Sequence, residues 1–247
     1  FSVDMLRRIG LSGLDLIYPP SCFLCGRPLD DHRYICSQCK ERFDSIQPPI
    51  CERCGKPTEG IRLCERCSRE DRGFFLARSY GYFRPRDPLG RAIIGLKYEK
   101  EKALAKELAP LFTEGTTNEL VNLSSSITYV PQTKKKRKER GFNQAHLLAK
   151  YLGELVDLPV KDLLYKRRET PPQVSLNRGE RLENLEDAFS VSGEASSEPL
   201  LLVDDVFTTG TTLSECSKTL KRAGFQTVYA VTLARATLPS RNFNEGV

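Results

Sequence analysis

The stretch LLLVDDVFTTGTTL, residues 200–213, constrains the fold of this chain more than any other. Four apolar residues run into two adjacent carboxylates, Asp204 and Asp205. Val206 and Phe207 follow, then Thr208, Thr209, Gly210, Thr211 and Thr212. A continuous apolar run suits a strand buried on both faces of a parallel sheet. The Thr-rich turn suits a helix start, where N–H groups lack partners, the helix dipole adds positive charge, and Gly lets the backbone approach closely. Such a turn cradles a phosphomonoester. Two carboxylates beside it would repel the phosphate unless they had their own partner. Vicinal sugar hydroxyls, with a divalent metal to neutralise charge, are such a partner, so a ribose 5-phosphate fits both halves.

The surrounding pattern supports a parallel α/β sheet. FFLARSYGYF (74–83), SITYVPQ (126–132), PLLLVDDV (199–206) and QTVYAVTLAR (226–235) read as strands. PLGRAIIGLKY (88–98), EKALAKELAPLF (101–112) and TTLSECSKTLKRAG (211–224) read as helices. In FNQAHLLAKYLGELV (142–156), Leu147, Leu148, Tyr151, Leu152 and Leu155 recur at helical spacing. Strand–helix alternation places ligands at the carboxyl ends of the strands. His146 reads as a surface residue and Cys216 as a small core residue rather than a reactive thiol.

Eight of the nine cysteines form four C-x-x-C pairs: Cys22/Cys25, Cys36/Cys39, Cys51/Cys54 and Cys64/Cys67. Each pair makes a knuckle that offers two thiolates to a tetrahedral ion, and two knuckles close a four-sulfur structural zinc site. Gly26 and Gly55 follow the second cysteine of pairs one and three, where a turn needs positive φ. CFLCGRP…CSQC and CERCGKP…CERC read as one unit repeated, which favours sequential pairing within each half and leaves a cross-braced arrangement open. Disulfides are the alternative, but nothing else here looks secreted. His32 reads as a loop residue. A segment this poor in large apolar side chains needs metal to fold.

These readings divide the chain into an N-terminal amphipathic segment (1–20), a double zinc ribbon (21–72), an α/β domain (73–240) and a tail (241–247). Lys+Arg total 38 against 32 Asp+Glu, net +6. KKKRKER at 134–140 carries six basic residues and one acidic, so the excess is one cationic loop rather than a general nucleic-acid coat. Residues 21–70 hold nine Lys+Arg against eight Asp+Glu, which argues against tight non-specific DNA binding by the ribbon alone. No apolar run suits a membrane span, and IGLSGLDLIYPP lacks a cleavage site, so the chain reads as soluble and cytoplasmic. Its first residue is Phe, which leaves the true start open.

LLVDDVFTTGTT closely resembles the 5-phosphoribosyl-1-pyrophosphate (PRPP) signature of type I phosphoribosyltransferases. VPQTKKKRKERGFNQA (130–145) is similar to the RGFNQ segment of the ComF family. RRETPPQVSLNRGERLENLEDAF (167–189) is similar to that family's T-x-x-Q…R-x-x-N…F stretch. The resemblance covers nearly the whole chain and implies a late-competence protein, associated with DNA uptake in natural transformation. It implies a type I phosphoribosyltransferase-like domain behind a double zinc ribbon, with Mg²⁺ and PRPP as ligands. Asp204 and Asp205 would hold the ribose hydroxyls, and residues 208–212 the 5-phosphate. Arg137, Arg140, Asn143 and Gln144 would face the departing pyrophosphate. Gln173, Arg181 and Asn184 would sit on a loop that closes over the site. The implied chemistry is displacement at the anomeric carbon through an oxocarbenium-like transition state, with no covalent nucleophile. The other reading is an adaptor that touches single-stranded DNA or a DNA-uptake helicase through the ribbon and the basic run, with the PRPP site as sensor or relic.

Overall fold

The computed structural model describes residues 20–29, 33–99, 101–167 and 188–236. Six strands are described: β1 (Leu76–Phe83), β2 (Ser126–Tyr129), β3 (Leu164–Lys166), β4 (Phe189–Val191), β5 (Leu200–Phe207) and β6 (Val228–Ala236). Four form one sheet in the order β1-β6-β5-β2, and every pairing in it is parallel. Helices α1 (Ser37–Lys40) and α2 (Glu65–Arg69) belong to the cysteine-rich segment. Helices α3 (Pro88–Tyr98), α4 (Ala103–Leu108), α5 (Asn118–Asn122), α6 (Lys134–Arg140), α7 (Gln144–Val156) and α8 (Thr211–Arg222) follow.

The period of two in β5 explains why its apolar run is continuous. Leu201 and Val203 join one core with residues of α3, α4 and α7, while Leu200 and Leu202 join a second core with residues of α8. The alternation slips after Asp205: Val206 packs in the first core and Phe207 in the second. The strand therefore runs through both carboxylates and ends only at Phe207.

The cysteine-rich segment covers the outer edge of β1. Ala77 N–H donates to the Arg53 carbonyl (2.7 Å), Ile46 N–H to Tyr80 (2.7 Å) and Tyr82 N–H to Asp44 (3.2 Å). Its side chains also enter both cores, so the exposed sheet edge and the small module solve each other's burial problem. The β2 edge is met by residues 159–161: Ile127 donates to the Pro159 carbonyl (2.9 Å) and accepts from Lys161 (2.7 Å).

Three sequence expectations change. The helix over 101–112 stays α-helical only to Leu108 and tightens to a 3₁₀ turn over Ala109–Thr113, because Pro110 has no N–H and crowds the preceding turn. The basic run is a helix, α6, not a loop. The Thr133 hydroxyl caps its N-terminus by accepting the Lys136 N–H (3.3 Å), and Gly141 ends it at φ 80°. Leu155, placed on the apolar stripe of α7, is 53% exposed, whereas Leu148 and Leu152 are buried. The short antiparallel ladder of β3 and β4 was not anticipated; each strand is three residues long.

Candidate functional site

The carboxyl ends of β5 and β6, the start of α8 and the start of α7 converge on Asp204 and Asp205. Strand alternation sends the two carboxylates to opposite faces. Asp205 is buried and accepts from Lys97 Nζ of α3 (2.8 Å) and Gln144 Nε2 of α7 (2.6 Å). The Gln144 carbonyl oxygen in turn accepts from Gln132 and from Arg140 (3.2 Å). Asp204 lies on the α8 side, where its Oδ1 accepts the N–H of Asp205 (2.9 Å). Burial, and then the Asp205 charge, push the Asp204 carboxyl up to about 8. At neutral pH this group favours its protonated form, and its ionised form would be the one to serve a cation. Hard oxygen donors with an unmet demand for positive charge fit Mg²⁺.

Thr208 to Gly210 form the turn between β5 and α8. Gly210 sits at φ 70°, and a Cβ there would lie 2.3 Å from Phe207 Cζ and 2.4 Å from an Arg72 nitrogen. Gly210 is therefore required twice, by backbone conformation and by contact. The hydroxyls of Thr209 and Thr211 lie 2.7 Å apart, and the first helical bond is Ser214 N–H to the Gly210 carbonyl (2.9 Å). The N–H groups of the first turn precede any intrahelical acceptor, and that of Thr211 donates to the Thr209 hydroxyl (3.4 Å). Val206 and Phe207 are buried, and the Phe207 ring packs beneath Gly210 with Arg72 and Arg235 against it.

In the 130–145 segment the expected pyrophosphate residues divide. Asn143 is consumed as the N-cap of α7: its side-chain oxygen accepts from Ala145 N–H (3.0 Å) and its Nδ2 donates to the Val130 carbonyl (3.0 Å). Gln144 reaches Asp205. Arg140 lies beside Gln144 with its guanidinium over Tyr98 (5.0 Å), and Arg137 is exposed on α6. His146 is exposed and lies against the Tyr129 ring (4.7 Å). Gln173, Arg181 and Asn184 lie outside the described residues, as does His32.

The thiols gather sequentially: Cys22, Cys25, Cys36 and Cys39 form one group and Cys51, Cys54, Cys64 and Cys67 the other, each with its sulfurs within 4.8 Å of one another. The internal repeat is structural as well. Cys36 N–H points at Cys22 Sγ (3.4 Å) as Cys64 N–H points at Cys51 Sγ (3.3 Å), and Gly26 and Gly55 turn at φ 72° and 67°. Four convergent sulfurs with N–H···S support suit structural zinc.

A double zinc ribbon domain matches residues 13–68. DNA utilization protein YhgH of Escherichia coli O157:H7 is 30% identical over 228 residues, 89% of this chain and 99% of the relative. Competence protein F of Haemophilus influenzae is 33% identical over 158 residues, 61% of this chain and 69% of the relative. The chain belongs to the ComF family. A further family member, competence protein ComFC of Streptococcus pneumoniae, is 36% identical over 106 residues, 43% of this chain and 46% of the relative. Among solved structures, a purine phosphoribosyltransferase of Pyrococcus horikoshii is similar at 16% identity, covering 63% of this chain and 90% of that one with TM-score 0.29. A hypoxanthine phosphoribosyltransferase of Staphylococcus aureus is similar at 13% identity, 55% and 64% coverage and TM-score 0.34. Overlaps this shallow bear on neither substrate nor mechanism.

Sequence reasoning missed four cations of this ComF protein. Lys97 neutralises Asp205 from the last turn of α3. Arg66 and Arg72 reach the Thr209 carbonyl, and Arg235 lies 3.8 Å over the Phe207 ring while donating to the Cys54 carbonyl. Arg66 lies inside the Cys64–Cys67 knuckle, but no local pattern marks any of the four for this site, and each is brought in by tertiary packing.

Proposed function

We propose that this ComF-family protein binds PRPP with Mg²⁺ and is built for pentosyl transfer. One observation carries the reading: a carboxylate pair and a Gly210-capped helix start meet at the carboxyl end of a central parallel strand. Asp204 would hold the ribose hydroxyls, and Asp205, whose two oxygens are taken by Lys97 and Gln144, would join it by exchanging one of those partners for a hydroxyl. The N–H groups and hydroxyls of Thr208, Thr209, Gly210, Thr211 and Thr212 would hold the 5-phosphate. Bound Mg²⁺ would take negative charge from the departing pyrophosphate. Arg140 and Arg137 would do the same from α6. By family resemblance Gln173, Arg181 and Asn184 would exclude water once the site is filled. Phosphorus NMR of PRPP titrated with the protein tests this: both the 5-phosphate and the diphosphate resonances should broaden, more strongly with Mg²⁺. Unchanged resonances with folded, zinc-loaded protein would refute it.

A second reading is favoured by α6. Lys135, Lys136, Arg137 and Lys138 are exposed on one short helix, beside Tyr98, which is 67% exposed under Arg140. Cations beside an exposed ring suit single-stranded nucleic acid, in keeping with relatives named for competence and DNA utilization. Reversing the charge of Lys135, Lys136 and Lys138 should weaken oligonucleotide binding and flatten its salt dependence. Binding unchanged in both respects would exclude α6 as the contact.

A further inference from the structure

The second cysteine module reaches into the phosphate loop. Arg66, in α2 between Cys64 and Cys67, donates an NH1 hydrogen to the Thr209 carbonyl at 2.6 Å. Arg72 donates to the same oxygen at 3.0 Å. Arg66 is steadied by Glu70 (2.8 Å), and Arg72 is buried against the rings of Phe74 and Phe207 (5.5 and 6.0 Å). In a trans peptide the carbonyl and the next N–H point to opposite sides. The Thr209 carbonyl shares its peptide unit with the Gly210 N–H. Two guanidiniums drawing that carbonyl toward the module therefore turn the Gly210 N–H away from it, to the side of the loop opposite the module. Cationic donors on the carbonyl also polarise the unit and strengthen its N–H as a donor. The close approach of Arg72 at Gly210 leaves little room for the peptide to flip.

The internal repeat supplies its own comparison. CSQC of the first half aligns with CERC of the second, so Gln38 occupies the place of Arg66. Gln38 accepts from Arg27 on the surface (2.5 Å) and has no phosphate loop opposite it. The long cation stands in the copy that faces the loop.

We propose that Arg66 and Arg72 are positioning residues of the phosphate cradle, through which the second four-cysteine module sets the orientation of the Thr209–Gly210 peptide and the affinity for a 5-phosphate. The proposal rests on the reading of residues 208–212 as that cradle. It is tested on the full chain, zinc-loaded, by calorimetry with ribose 5-phosphate and separately with inorganic pyrophosphate. Arg66→Ala should weaken ribose 5-phosphate about tenfold, the low end for a charged hydrogen bond because Arg72 remains, and change pyrophosphate less than about twofold. Arg66→Lys should recover most of the loss, and Gln38→Ala should bind both ligands as wild type does. If wild type binds ribose 5-phosphate and Arg66→Ala binds it equally well, the positioning role falls while the cradle stands. Equal loss of both ligands in Arg66→Ala would also overturn it, by showing general damage. If wild type binds no ribose 5-phosphate, the cradle reading fails and takes this proposal with it.

Discussion

Two neighbouring aspartates should respond oppositely to the same substitution. Asp204 carries a carboxyl that burial and Asp205 push from 3.8 up to about 8. A carboxylate whose folded pKa lies above its unfolded value binds more protons in the native state. Stability therefore falls as pH rises from about 4 to about 8, and the loss is complete above the folded value. A shift of roughly 4 units at about 1.36 kcal/mol each sets a ceiling of ~6 kcal/mol. Partial contact with solvent reduces this, and about 1–2 kcal/mol is expected. Asp204→Asn should thus raise Tm by about 2–8 °C at pH 8.5 for a chain of this size, with the gain shrinking toward pH 5. Asp205→Asn removes a buried carboxylate that pairs with partly buried Lys97 and should cost about 3 kcal/mol. The assay is thermal unfolding of wild type and both variants, zinc-loaded and ligand-free, across pH 5 to 9, read as differences from wild type. An Asp204→Asn protein that melts below wild type at every pH, or by a constant margin, would refute the argument.

Other expectations follow from the same geometry. Gly210→Ala should abolish ribose 5-phosphate binding and destabilise the protein by about 2 kcal/mol, since its Cβ meets Phe207 and Arg72 at φ 70°; wild-type affinity by calorimetry would contradict this. Metal analysis should give about two zinc ions per chain, and chelation should unfold residues 21–70 together with the β1 edge they cover, seen as lost amide protection in β1. Mg²⁺-dependent ligand affinity should rise with pH and level off near 8 as Asp204 loses its proton; a flat profile between pH 6 and 8 would assign the cation to other groups.

Legibility in the sequence followed the range of the interaction. The knuckles were readable because C-x-x-C spacing, Gly26 and Gly55 are local, and the thiols do gather as the repeat suggests. Strand β5 and helix α8 were readable from an apolar run and a Gly-led turn. The α6 helix is legible in its caps, since Thr133 and Gly141 bracket it as N-cap and C-terminal stop, but seven consecutive charged residues leave it no apolar periodicity. Lys97, Arg66, Arg72 and Arg235 were not legible. Lys97 acts on Asp205 across 108 positions of sequence, Arg72 and Arg66 on Thr209 across 137 and 143, and Arg235 on Cys54 across 181, and nothing local marks a cation as a distant partner. Strand parity was available in the sequence, yet the opposed faces of Asp204 and Asp205 became meaningful only once Lys97 was seen on one side alone.

The most direct test of the account is calorimetric titration of PRPP, with and without Mg²⁺, into wild type and into folded Asp204→Asn/Asp205→Asn. Wild type should bind PRPP, more tightly with Mg²⁺, and the double variant should lose that binding. No binding by folded, zinc-loaded wild type would contradict it, leaving the carboxylate pair and Thr loop as inherited architecture and the cationic face of α6 as the working surface.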